Sequence, residues 1–91
     1  MAEDPIWPAI KAWREADKRH SRICAGEKAY SPVSAKSCRA YHRAANRMGR
    51  TVPTTRAGAA ELAKWLVRDL RMGDAPWQQM ALRSIVKFLR S

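Results

Sequence analysis

"SPVSAKSCRAYHRAANRMGR", residues 31 to 50, has the periodicity of a single helix with two dissimilar faces. Ser31 before Pro32 is a helix-start signal: the serine hydroxyl can accept an orphan backbone N–H, and a proline at the first helical position has no N–H to leave unsatisfied. Ser34, Cys38, Tyr41, Ala45 and Met48 then recur at spacings of four and three, forming one inward stripe. Lys36, Arg39, Arg43, Arg47 and Arg50 occupy an arc of about 80° on the opposite side. Gly49 reads as the residue that ends the helix. A helix with one apolar stripe needs partners to cover it, so the flanking sequence must supply further helices.

It does so on both sides. Asp4-Pro5 repeats the cap-then-proline signal, and Ile6, Ile10, Trp13, His20 and Cys24 follow within an arc of about 80°. Pro8 is still inside the first turn, where it is tolerated. In "VPTTRAG", residues 52 to 58, Pro53 breaks the chain and Thr54 or Thr55 can cap a third helix. Its apolar side is Leu62, Trp65, Leu66 and Leu70, and Met72-Gly73 ends it. Asp74 is expected to cap a fourth helix, with Trp77, Met80, Ala81, Ile85, Phe88 and Leu89 on its apolar face. No strand alternation and no internal repeat occurs. The expectation is an all-α fold: one domain over residues 1–91, with helices near residues 5–26, 32–48, 55–72 and 75–90. Short connections favour antiparallel neighbours, hence a small antiparallel bundle of four helices built as two hairpins, 5–48 and 55–90. A homodimer would bury apolar surface left open by such a pair of hairpins. The four tryptophans read as core, with Trp7 and Trp77, each near a helix start, as the candidates for an exposed anchor.

The formal net charge is +10, and its distribution is uneven. Residues 1–30 carry six Lys/Arg against five Asp/Glu, residues 31–52 five against none, and residues 53–91 seven against three. Between Glu27 and Glu61 there is no acidic side chain. No stretch approaches the ~18 apolar residues of a membrane span, and the N-terminal residues lack the pattern of a signal peptide. The expectation is therefore a cytoplasmic protein with no membrane partner and with reduced cysteines.

Both histidines and both cysteines lie between residues 20 and 42, as H-x3-C followed by C-x3-H. Two i, i+4 pairs on neighbouring helices can supply a Cys2His2 zinc site, so His20, Cys24, Cys38 and His42 are an alternative metal set. Register opposes it if the first helix ends at Gly26, and favours it if that helix continues to Ala29. The alternative, four packing residues and no cofactor, is preferred. No Walker loop, G-x-S-x-G, H-E-x-x-H or dinucleotide fingerprint occurs, and neither Cys/His pair has an identifiable orienting acid, so no enzyme is expected.

The charge pattern points instead to binding. Lys36, Arg39, Arg43, Arg47 and Arg50 form a row that can track phosphates, and arginine suits bidentate phosphate contacts. The expected partner is nucleic acid, DNA or RNA, bound without sequence specificity. A helix-turn-helix, with Gln78, Gln79 and Arg83 at base edges, is a weaker form of that reading. The competing reading is a protein-interaction module that meets an acidic protein surface.

Residues 52–91 resemble a group of small uncharacterised alphaproteobacterial proteins often found in phage-like or mobile regions. The resemblance rests on Pro53, Thr54, Thr55, Ala57 and Gly58, then Gly73, Pro76, Trp77 and Leu82. It implies a capped helical hairpin and, for the interaction-module reading, a mobile-element protein docking on a host or phage complex. It implies no catalytic residue. Members of that group are mostly acidic, so the basic second helix is a property of this chain.

Overall fold

A computed structural model describes residues 3–26 and 31–91. Four helices account for most of them: α1 (Ile6–Gly26), α2 (Pro32–Arg50), α3 (Arg56–Leu70) and α4 (Pro76–Arg90). There is no strand among the described residues. A continuation of α1 toward Ala29 falls on residues 27–30, outside the described residues.

One carboxylate fixes how the N-termini of α1 and α3 meet. Asp4 is 3% exposed, and its Oδ1 accepts the Ile6 N–H at 3.0 Å. Its Oδ2 accepts the Thr55 N–H at 3.0 Å and the Thr55 hydroxyl at 2.6 Å. The same Thr55 oxygen accepts the Gly58 N–H at 3.0 Å, so Thr55 caps α3 while donating to the cap of α1. Burial pushes the Asp4 carboxyl up, but the bonds from the Thr55 hydroxyl and the Ile6, Thr54 and Thr55 backbone outweigh it and hold it below its ordinary value. Gly58 makes room for this contact: a Cβ there would collide with Asp4 Oδ2 and lie 2.7 Å from Ile6 Cγ2.

α2 begins as its sequence requires, with the Ser31 hydroxyl accepting the Ser34 N–H at 3.1 Å. It does not end at Met48. Gly49 lies inside the helix, and its missing side chain lets α4 approach: a Cβ would sit 2.6 Å from the Trp77 carbonyl oxygen. The Gly49 carbonyl accepts the buried Ser84 hydroxyl at 2.6 Å.

The start of α4 differs from expectation. Asp74 is exposed and does not cap it; the N-cap position is Ala75. Gln78 does the work from inside the helix, because its carbonyl oxygen accepts the Ala75 N–H at 3.1 Å. Its amide nitrogen donates to Asp69 at 2.8 Å and to the Gly73 carbonyl at 2.9 Å. Gly73, with φ of +123°, takes the backbone conformation that side chains resist.

α1 packs on α2, α2 on α4 and α4 on α3, with a lighter contact between α1 and α3. The core is Ile6, Ala9, Ile10, Trp13, Ala45, Met48, Leu62, Leu66, Trp77 and Ala81. Trp13 joins three helices at its centre, its ring 5.5 Å from Trp65 and 5.6 Å from Trp77. Leu70 and Leu89 were expected in this core and instead face solvent, Leu89 being 72% exposed. No described helix is long and apolar enough to cross a membrane.

Candidate nucleic-acid interface

Lys36, Arg39, Arg43, Arg47 and Arg50 are all exposed. The opposite side of α2 is turned to the protein, with Ser34, Ser37, Ala45 and Met48 buried and Cys38 and Tyr41 half-buried. The row runs about 21 Å along the axis at 1.5 Å per residue. Among the described residues the ion pair is Lys64 with Glu61, at 2.8 Å, so no acid neutralises the α2 row. Like charges three or four residues apart repel by about 0.2–0.5 kcal/mol per pair, and the row contains four such neighbouring pairs. Arg47 and Arg50, in the last turn, recover part of that through the helix dipole. The row thus destabilises α2 slightly and offers five cations, without an ion-pair partner among the described residues, on one helix.

The mirrored Cys/His residues are arranged otherwise. His20 Nδ1 lies 2.7 Å from the Ser37 hydroxyl, which itself donates to the Ser34 carbonyl at 3.0 Å. His20 is thus tied to α2 through the Ser37 hydroxyl. Cys24 Sγ is 3.5 Å from His20 Nε2 and 3.7 Å from Nδ1. Nearly equal distances put the sulfur beside the ring and not along the in-plane direction of Nε2, so the pair is not aligned for proton transfer. His42 is exposed and sits edge-on to Tyr41 at 5.5 Å, while Tyr41 stacks on His20 at 6.0 Å. Among the described residues no three His, Cys, Asp or Glu side chains are gathered as a metal site requires, so His20, Cys24, Cys38 and His42 do not converge.

Two other expectations change. Trp77 is buried, so of the two candidate anchors only Trp7, 36% exposed, is accessible. Gln78 is buried in the α3–α4 turn and so cannot face a base edge.

A second basic row escaped the sequence reading. Trp7, Lys11, Arg14, Lys18 and Arg22, at spacings of four, three, four and four, share an arc of about 80° on α1, and all five are exposed. Regional charge hid it, because residues 1–30 sum to only +1. One of the five acids in that sum, Asp4, is buried in the cap described above and faces no partner. The spacing itself was the usable signal. No protein family, no curated protein and no solved structure matches this chain.

Proposed function

We propose that this is a cytoplasmic nucleic-acid-binding protein and not an enzyme, holding backbone phosphates on the outer face of α2 without reading sequence. The observation that carries this reading is the row Lys36, Arg39, Arg43, Arg47 and Arg50, all exposed on one helix and with no ion-pair partner among the described residues. Four of the five are arginines, whose planar fork matches phosphate oxygens bidentately, and such contact needs no cofactor. In this reading α1–α2 and α3–α4 are antiparallel hairpins, and the packing of α2 between α1 and α4 keeps the row straight. Phosphate contacts position a protein without specifying sequence, so unrelated DNA duplexes and RNA helices should bind with similar affinity. Titration of labelled probes of unrelated sequence tests this. Similar affinities, lost together in the variant R39Q/R43Q/R47Q, support it; unchanged binding by that variant refutes it.

A second reading is favoured by α4. Leu82, Val86 and Leu89, at spacings of four and three, are exposed on one side of the helix, with Arg83, Lys87 and Arg90 also exposed. That combination suits a protein-interaction module docking on an acidic protein surface, or a homodimer. Recovery of one stoichiometric protein partner, with no nucleic acid bound at low salt, selects this reading.

A further inference from the structure

Along the seam where α1 meets α3 lies an open cleft of about 300 Å³, lined by Trp7, Ile10, Lys11, Arg14, Lys18 and the carboxylates Glu15 and Glu61. That volume is at the lower end of small-ligand sites, which span about 300–1,000 Å³. Its parts have different chemistry. Ile10 and the exposed ring of Trp7 supply an apolar wall, Glu15 and Glu61 are acceptors, and Lys11, Arg14 and Lys18 belong to the basic row that continues to Arg22. Glu61 is already held, by Lys64 at 2.8 Å and by the Trp65 indole N–H at 3.1 Å. Arg14 is held as well, its guanidinium 4.9 Å from the Trp65 ring centroid, with Arg68 at the same distance and Lys64 at 5.1 Å. Cations from both helices thus gather around Trp65 beside the cleft.

Glu15 and Glu61 repel phosphate from their side of the cleft, while the apolar wall suits a flat neutral ring. Phosphates belong on the cationic side, along Lys11 and Lys18, and on Arg22 beyond the cleft. An aromatic platform beside a row of cations is the arrangement that holds an unpaired base and its backbone. Paired bases in a duplex keep their faces stacked and cannot reach Trp7.

We propose that the α1–α3 seam is a second nucleic-acid site, selective for single strands, in which Lys11, Lys18 and Arg22 take phosphates and Trp7 stacks an unpaired base. The inference rests on the reading of the protein as a nucleic-acid binder and adds the class of strand. The two sites are distinct surfaces: the α2 row lies opposite the side that packs on α1 and α4, and α2 and α3 do not lie side by side.

The test uses the full chain with two probes, a labelled oligodeoxycytidine and a blunt duplex of mixed sequence. Trp7→Ala and Trp7→Leu, the second keeping apolar bulk without an aromatic face, should each weaken single-strand binding by about 5- to 100-fold and leave duplex binding unchanged. The variant K11Q/K18Q/R22Q should flatten the single-strand salt dependence by about 2 in log–log slope, at about 0.7 per phosphate contact. The inference is overturned if wild type does not bind the single strand, if both Trp7 variants bind it as wild type does, or if they weaken both probes equally. R39Q/R43Q/R47Q separates the two proposals. Loss of duplex binding with single-strand binding retained supports both, whereas duplex binding retained in that variant refutes the α2 site and leaves the seam to stand on its own variants.

Discussion

Asp4 and Gly58 act as one unit. The carboxylate accepts from the first turn of α1 and from both donors of Thr55, and Gly58 leaves the space in which it sits. Asp4→Asn replaces one acceptor oxygen by a donor that must face either the Ile6 N–H or the Thr55 donors, so it should cost about 1–3 kcal/mol at neutral pH. Its pH dependence has a definite sign. The folded-state value of Asp4 is depressed, so the stabilisation is present above the ordinary carboxyl range and is lost as pH falls through the folded value. Thermal melts from neutral to acid pH should therefore show the gap between wild type and Asp4→Asn closing in acid; a constant gap would contradict this account. Gly58→Ala gains about 1 kcal/mol of helix propensity, but overpacking against Asp4 and Ile6 costs about 1–3 kcal/mol. Denaturant unfolding should show a net loss in stability.

At the scale of the helices, much was legible because caps and periodicity are local. Ser31-Pro32 opens α2 and Thr55 caps α3 as their types suggest, and the inward and outward sides of α2 separate as their spacing implies. What was not legible depends on neighbours. Gly49 reads as a helix end but is a crossing point, a distinction set by the Trp77 backbone on another helix. Asp74 is a good cap by type, yet Gln78 reaches back to Ala75, Gly73 and Asp69 and takes its place. Gln78→Ala should accordingly destabilise by about 1–3 kcal/mol, since it removes three hydrogen bonds made by one buried side chain, whereas Asp74→Ala should stay within about 0.5 kcal/mol. Comparison of the two variants by chemical denaturation checks this assignment. The mirrored histidines and cysteines show the same limit, because spacing placed each pair one turn apart but Ser37 and Tyr41 decide where the imidazoles sit.

Over the whole molecule, a chain of net charge +10 keeps the lysines and arginines among its described residues exposed, nearly all of them on helix faces turned away from the core. Four short helices close around three clustered tryptophans, which supply much apolar area for few residues. The α2 row contributes nothing to that core, so R39Q/R43Q/R47Q should melt at or slightly above the wild-type temperature, relieved of all four neighbouring repulsions. Because the fold survives, the same variant tests the central claim. The decisive measurement is the slope of log affinity against log salt for a duplex, in wild type and in R39Q/R43Q/R47Q. Wild type should show a steep slope from counterion release, and the variant should be flatter by about 2.7, at about 0.9 per lost phosphate contact. Equal slopes and equal affinities in the two proteins would contradict binding through α2.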